Sequence, residues 1–358
     1  MEKNFSNQLN FPPLSELDFY VENPKEIQEP IGTFIQYTLK GKRLEYPIER
    51  RYREFDYLRI KLKEKFPGII IPNLPHKKKI GEKQKKIVDM RIEQINRFCF
   101  KISKLPFYHQ SMEIDIFLQN TNDTIKSLDN IVKENYFEIS QKYERIFGEI
   151  PEDFIIENYK NKHFEFIESL KNKNLKLNEI KTLIENLKDK YQKSINNYIQ
   201  TINVFSVFEK EAIKEYVNNK SNRLIFFNLH NKDFNQKLIE IQQKLMNPYI
   251  ELLDNLTGDL LDNESIIETY NDLLNLQQIY SKNKNINKEP EKTNMIGLEK
   301  IIRYSVYCFD KVINDFKDKS LQNYYFNLSI LIKTYKNNNK IIDNMLDSLL
   351  SNPNISSI

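Results

Sequence analysis

The long helical periodicity of the last two thirds constrains this chain more than any other feature. After about residue 120, apolar side chains recur at steps of three and four along three segments: Pro151 to about Tyr216, about Asn222 to Tyr280, and Gly297 to Leu350. Each segment exceeds the average globular helix of about 11–12 residues several-fold. Segments of this length are typical of coiled coils or antiparallel bundles. The sequence therefore predicts three long helices.

Two residues inside the middle segment predict a departure from a straight rod. Pro248 removes a backbone hydrogen bond, and Gly258 weakens the helix around it. The segment Ser281–Asn294 is polar and rich in Asn and Lys, which is typical of a solvated turn. We therefore expect a bent bundle whose last two helices are joined at this turn.

The first 120 residues follow a different pattern. Short apolar runs bounded by Pro and Gly predict strands at Leu17–Val21, Thr33–Leu39 and Leu44–Ile48. Helical spacing then predicts one helix from Phe55 to Phe66, which Pro67-Gly68 ends, and others around Val88–Ile102 and Ile114–Leu118. Three strands followed by helices predict a small α+β domain.

The basic excess of the chain belongs to this first domain. The net charge is +4, but residues 1–120 hold 22 Lys and Arg against 16 Asp and Glu, while the rest holds 32 against 34. No apolar run of signal-peptide type opens the sequence, and no uncharged stretch approaches the roughly 20 residues that span a bilayer. Membrane contact is therefore expected to be peripheral. Cys99 and Cys308 form no CxxC pair, which is typical of reduced thiols in the cytosol.

Enzyme motifs are missing from the sequence. The seven glycines form no GxGxxG or GxxxxGK loop, the four histidines have no HExxH spacing, and no GxSxG elbow occurs. We therefore expect no enzyme activity, no cofactor and no metal site. No nucleic-acid-binding module supports a nucleic-acid partner.

The stretch Ile48–Lys79 concentrates cations around one aromatic ring. Arg50, Arg51 and Arg53 flank Tyr52 at a predicted strand-to-helix junction, where free backbone N–H groups add positive potential. Arginine forks suit phosphate oxygens, and an aromatic ring offers a face for stacking. The residues therefore indicate an anion site. The alternative is a solvated, charged helix start.

Three motifs carry a resemblance to a known family. RRYREFDYL, then FPGIIIPNLPHK, then DMRIEQINRF resemble the signature of phox-homology (PX) domains over residues 15–122. This resemblance implies a PX fold and a site for phosphatidylinositol 3-phosphate. Arg51 would grip the 3-phosphate, Tyr52 would pack under the inositol ring, Lys77 would meet the 1-phosphate, and Arg91 would hydrogen-bond the 4- and 5-hydroxyls.

The loop after the first helix departs from the PX pattern. The family's PPxxP loop reads IPNLP here, and the following KKKIGEKQKK has a single apolar residue, Ile80. We expect Lys78, Lys79, Ile80 and Lys83 to contact the membrane mainly through charge, at about 1 kcal/mol per lysine near an anionic surface. An ordinary solvated loop is the alternative. The HxKxxxxD pair of PX-containing phospholipases fails, because Lys83 stands where Asp is required.

The remainder resembles the BAR domain that follows the PX domain in sorting nexins. Residues 151–352 would form a BAR-like three-helix bundle with a seam from Ile302 to Leu349, which is a core or dimer contact. Residues 1–14 are expected to be flexible. Residues 123–150 are expected to hold an amphipathic linker helix over Thr124–Phe147, which either lies on the membrane or packs against the bundle.

The sequence therefore predicts a PX-BAR sorting nexin with an all-α second part. By resemblance it would bind phosphatidylinositol 3-phosphate peripherally on endosomes, pair as a homodimer or a heterodimer with another sorting nexin, and act in trafficking with partner proteins. The alternative is a phosphoinositide-anchored scaffold whose helices bind proteins without bending membranes.

Overall fold

A short antiparallel sheet and a set of long helices make up the fold. The computed structural model describes residues 12–29, 32–75, 84–119, 123–208, 232–285 and 288–350. The chain forms two compact units, one of Met1–Lys176 with Thr257–Leu321 and one of Leu177–Leu256 with Gln322–Ile358. No helix in the described part of the chain is long and apolar enough to cross a bilayer.

The sheet confirms three strands but not their predicted limits. β1 (Tyr20–Glu29), β2 (Gly32–Lys40) and β3 (Ile48–Arg51) pair antiparallel in that order. The limits of the predicted first strand, Leu17–Val21, are wrong because β1 begins at Tyr20 and continues past Pro24 to Glu29. A register shift between Glu22 and Lys25, with Asn23 at φ 46°, takes up the proline on this edge strand.

The third strand also starts later than predicted. Leu44–Ile48 was expected to be a strand, but the ladder begins only at Ile48, since residues 41–47 form a turn. β3 pairs with β2 so that Gln36 opposes Arg51 and Tyr37 opposes Arg50. The strand therefore ends at the arginine pair, directly before the first helix.

Helix α1 (Tyr52–Lys65) confirms the predicted spacing. It buries Phe55, Leu58 and Leu62 against the sheet-side core. Gly68, at φ 78°, follows the helix end with Pro67. Helices α2 (Gln84–Ile102) and α3 (Met112–Phe117) complete the predicted α+β arrangement of the first domain.

The expected single linker helix over Thr124–Phe147 is wrong. The segment forms α4 (Thr124–Asp129) and α5 (Tyr136–Phe147). Asn135 starts α5 as its N-cap, because its side chain accepts from the Glu138 N–H (3.0 Å) while the Glu138 carboxylate accepts from the Asn135 N–H (2.9 Å). This capping box begins a new helix where apolar spacing alone predicts continuity.

Helix α5 packs inside the first unit. Ile139 and Tyr143 are buried, and the Tyr143 hydroxyl donates to the Pro67 carbonyl at 2.8 Å. Lys300 pairs with Glu144 at 2.5 Å on the exposed side. Of the two alternatives for the linker, packing against the helical region therefore describes α5.

Three long helices are confirmed. They are α6 (Glu157–Phe208), α7 (Lys232–Asn283) and α8 (Glu291–Leu350). Helix α7 continues through Pro248 and Gly258, so neither residue ends it. A side chain at Gly258 would collide with the Arg97 guanidinium, which shows that this glycine provides room for a helix-to-helix contact.

Each unit has its own buried apolar residues. In the first unit the α8 residues Ile302, Val306 and Phe309 are buried, so this part of the predicted seam is core. In the second unit the core holds residues of α6 and α7: Ile184, Ile195, Leu245, Met246, Tyr249, Leu252, Leu253 and Leu256. The later seam residues Leu328 and Tyr335 are exposed.

Gly297 provides a stability test for the packing of α5 on α8. Replacing a helical glycine with alanine ordinarily stabilises a helix by about 0.5–1 kcal/mol. Here the added Cβ would collide with the Phe137 backbone, so we expect Gly297→Ala to destabilise the protein by about 1–3 kcal/mol. Thermal unfolding measures this difference.

Gly258→Ala is the matched control, because its Cβ meets only the end of the Arg97 side chain, which can move. The control should lower the melting temperature less than Gly297→Ala. A higher melting temperature for Gly297→Ala than for the parent would contradict the close packing.

Candidate functional site

Arg51 occupies the junction between the last strand and the first helix. It is the final residue of β3 and the residue before α1, and its N–H donates to the Glu54 carboxylate at 2.7 Å. Its guanidinium carbon lies 3.5 Å from the centroid of the Phe34 ring. Phe34 lies two residues from Gln36, the β2 partner of Arg51, so both side chains share one face of the sheet.

Helix α2 brings a second arginine to this junction. The Arg91 guanidinium carbon lies 5.1 Å from the centroid of the Tyr52 ring. Arg91 is 9% exposed, and its charge acts on the buried hydroxyl of Tyr37. The structure therefore places Arg91 beside the Tyr52 ring, while the guanidinium of Arg51, the residue before Tyr52, lies against Phe34.

Tyr52 is fixed at both ends of its side chain. The ring lies under Arg91, and the hydroxyl donates to the Pro75 carbonyl. Burial, with a smaller contribution from the Asp56 carboxylate, raises the pKa of Tyr52 to about 12, although the Arg91 cation opposes the rise. The hydroxyl is therefore protonated at neutral pH, and the ring offers an uncharged aromatic face.

The charge of the same arginine also acts on the tyrosine of the central strand, Tyr37. Tyr37 has no exposed surface, and burial raises the pKa of its hydroxyl while the Arg91 cation lowers it. Because a cation in a buried environment is screened less than one in water, Arg91 presents a strong local positive field. Such a field suits an anionic or polyhydroxylated ligand.

The three arginines around Tyr52 do not act as one cluster. Arg50 is 2% exposed, and its guanidinium donates to the Phe117 carbonyl (3.1 and 2.9 Å), to the Glu49 carbonyl (2.7 Å) and to the Gln119 carbonyl. Burial lowers its pKa. Arg53 is exposed. Arg50 is therefore a structural residue, and of the three only Arg51 lies beside the Phe34 ring.

The remaining predicted site residues all follow Pro75 in the chain. Lys77 and the expected membrane-contact residues Lys78, Lys79, Ile80 and Lys83 lie outside the described residues. Their roles stay predictions.

Sequence reasoning missed three neighbours of the site. Phe34 and Tyr37 lie on β2, and the strand pattern alone gave no reason to select them from other apolar residues. Arg59 follows Tyr52 by two helical turns on α1, and its Nε donates to the Pro72 carbonyl at 2.9 Å. The i, i+7 spacing to Tyr52 is the signal that indicates a shared face.

The first domain is similar both to a known family model and to known relatives. The PX domain family model matches residues 39–121, which include Arg51, Tyr52, Lys77 and Arg91. Human sorting nexin-30 is 32% identical over 114 residues, which is 29% of this chain and 26% of that protein. Human sorting nexin-7 is 31% identical over 126 residues, which is 31% of this chain and 33% of that protein. These alignments therefore span about a quarter to a third of the relatives' length.

A solved structure resembles this chain over nearly its whole length. The cryo-EM structure of the SNX-BAR Mvp1 tetramer superposes with a TM-score of 0.59 and 15% identity, covering 93% of this chain and 100% of that one. At this identity the likeness concerns the fold. It includes the long helices as well as the first domain.

Arg50→Lys tests the structural role of Arg50. Lysine keeps the charge but cannot reproduce a planar fork that reaches several carbonyls. Since unpaired buried carbonyls cost about 1–3 kcal/mol each, we expect Arg50→Lys to destabilise the first domain by at least that amount. Thermal unfolding reports the loss. An unchanged melting temperature would contradict the structural role.

Proposed function

Because this chain carries a PX domain and has the PX-BAR fold of sorting nexins, we propose that it is a peripheral membrane protein that binds phosphatidylinositol 3-phosphate. One observation carries the proposal. Arg91, contributed by the separate helix α2, lies over the ring of Tyr52, the residue that follows Arg51 at the strand-to-helix junction.

Each residue supplies a different contact to the headgroup. Arg51, at the start of α1, provides a fork for the 3-phosphate, and the positive end of the helix dipole adds to the potential there. The Tyr52 ring gives the inositol an apolar face. Arg91, held over that ring, donates to the 4- and 5-hydroxyls, while Lys77 meets the 1-phosphate. With Arg51 at the 3-phosphate and Arg91 at the hydroxyls, the proposed site would suit a headgroup with a single added phosphate at position 3.

Adhesion to the bilayer rests on charge in this proposal. The residues expected to contact the membrane are Lys78, Lys79, Ile80 and Lys83. Each lysine near an anionic surface contributes about 1 kcal/mol, and salt screens such contributions. Binding to vesicles should therefore weaken as the salt concentration rises. Phosphatidylinositol 3-phosphate would direct the protein to endosomes, where it would act in trafficking with partner proteins.

Self-association follows from the exposed seam of α8. Tyr325, Leu328, Ile332 and Tyr335 recur at steps of three and four in the second unit, and all four are exposed. Contiguous apolar surface of this kind marks a protein interface. A second copy or another sorting nexin would cover it, and the Mvp1 structure of similar fold is a tetramer.

Curvature sensing is the finer part of the proposal. The end of α7, the start of α8 and the residues between them carry exposed lysines that suit an anionic membrane: Lys282, Lys284, Lys288 and Lys292. The alternative is a scaffold that binds proteins without bending membranes. Electron microscopy of vesicles with added protein distinguishes them, since tubules support curvature and coated round vesicles support the scaffold.

Arg51→Ala tests the headgroup site. Loss of a charge-assisted contact costs about 1.5–3 kcal/mol, so binding to vesicles that contain phosphatidylinositol 3-phosphate should fall more than tenfold. Sedimentation across a panel of phosphoinositides measures the change. Arg53→Ala is the matched control, because Arg53 is an exposed arginine two positions away.

The control should bind nearly as well as the parent. Equal binding by Arg51→Ala and the parent would refute the assigned site. An equal loss in both variants would point to general attraction between cations and the membrane instead of headgroup recognition.

Ile332→Glu tests the α8 seam. Ile332 is 60% exposed, so a charge there should leave folding intact but prevent an apolar contact with a partner helix. Light scattering should show a mass of one chain for the variant and a multiple for the parent. Asn337→Glu, which adds the same charge at an exposed position on another face of the helix, should keep the parent mass. A single-chain mass for the parent would rule out homodimerisation.

A further inference from the structure

The loop that departs from the PX pattern is held on both sides. The Pro72 carbonyl accepts a hydrogen bond from the Arg59 Nε–H at 2.9 Å, and the Asn73 N–H donates one to the Ser265 Oγ at 2.8 Å. The Pro75 carbonyl accepts from the Tyr52 hydroxyl. Three of the four backbone positions from 72 to 75 therefore contact defined side chains, and one of these contacts is made by a headgroup residue.

The Ser265 hydroxyl oxygen is available to accept the hydrogen bond from the Asn73 N–H. It is 2% exposed on α7, and its hydroxyl donates its proton to the Leu261 carbonyl at 2.8 Å. The oxygen lone pairs are therefore left for the Asn73 N–H. Because a buried N–H without a partner is costly, Ser265 fixes the position of the loop backbone.

The same face of α7 also contacts Arg59 of α1. Glu268, one turn after Ser265, pairs with the Arg59 guanidinium and with Lys63 at 2.5 Å. The Arg59 side chain is 11% exposed. With Glu268 on one side and the Pro72 carbonyl on the other, Arg59 bridges helix α7 and the loop.

These contacts form a continuous connection from α7 to the headgroup site. Ser265 of α7 holds residue 73, and Glu268 of α7 acts on residue 72 through Arg59. The loop presents the Pro75 carbonyl to Tyr52, and the Tyr52 ring supports Arg91. A shift of the loop would release the Tyr52 hydroxyl and free the ring to move. The Arg91 guanidinium would then lose its support.

We propose that Ser265 and Glu268 of α7 are positioning residues for the lipid headgroup site, acting through the loop at residues 72–75. Neither residue touches the lipid. This inference rests on the proposed function and adds that the helical region regulates the affinity of the PX domain.

A second contact between the first domain and α7 provides the control. Arg97 and Lys101 of α2 both pair with Asp262, with the Arg97 Nη2 at 3.0 Å from the Asp262 Oδ2. This contact joins α2 to the same helix but does not touch the loop. If α7 merely anchors the domain, loss of either contact should have the same effect on lipid affinity.

Titration calorimetry with a soluble short-chain phosphatidylinositol 3-phosphate tests the proposal in the full chain. Ser265→Ala and Glu268→Ala should each lower the affinity about two- to tenfold, the range expected for one hydrogen bond. Asp262→Asn should leave the affinity near that of the parent. Ser265→Thr, which keeps the hydroxyl, should restore most of the affinity.

Hydrogen exchange adds a readout at the loop itself. The Asn73 amide should exchange faster in Ser265→Ala than in the parent or in Asp262→Asn. Thermal unfolding of each variant identifies a variant that fails to fold, in which case Glu268→Ala, at a position with a 37% exposed side chain, decides the outcome.

Two results would overturn the inference. Parent-like affinity in both Ser265→Ala and Glu268→Ala would show that the loop needs no support from α7. An equal loss in Asp262→Asn would show that anchoring alone is responsible. A parent that does not bind the lipid at all would instead refute the proposed function, on which the inference rests.

Discussion

The attachment of the PX domain to one face of helix α7 is the constraint on which the first unit depends. Cations of α1 and α2 meet a row of acids, with Lys63 beside Glu268 (2.5 Å) and Asp272 (2.8 Å), and Arg97 beside Asp262 (3.0 Å). Burial disfavours the Asp262 charge, yet the Lys101 and Arg97 cations hold its pKa below the ordinary value. Removing one partner of such a pair leaves an uncompensated charge, so the row resists separation.

Because of this attachment, the basic residues of the first domain have different roles. Arg59, Lys63, Arg97 and Lys101 neutralise α7, and Arg50 ties the sheet to the end of α3. The basic excess of the domain is therefore not a uniform surface for attracting a membrane. At the strand-to-helix junction Arg91 lies over the Tyr52 ring and Arg51 precedes Tyr52 in the chain, an arrangement that suits the proposed recognition of a defined headgroup.

The sequence predicted the elements better than their contacts. Three long helices are confirmed, as is the helix that buries Phe55, Leu58 and Leu62, because repeated apolar spacing indicates them. The PX domain and the PX-BAR fold are also confirmed, because local motifs and the order of the elements indicate them. Arg50 and Arg51 are adjacent identical residues, so only the pairing of β3 shows which one is buried. The break before α5 depends on the Asn135 cap. Ser265 lies 192 residues from Asn73, and no local pattern indicates that contact.

The central claim is that one headgroup with a phosphate at position 3 occupies the junction of β3, α1 and α2. Magnetic resonance of the full chain, with arginine side chains labelled and a soluble inositol 1,3-bisphosphate added, tests it most directly. The account predicts saturable shifts of the Arg51 and Arg91 guanidinium signals, and none from inositol 1-phosphate at the same concentrations. Equal shifts with both compounds, or shifts confined to other arginines, would contradict it.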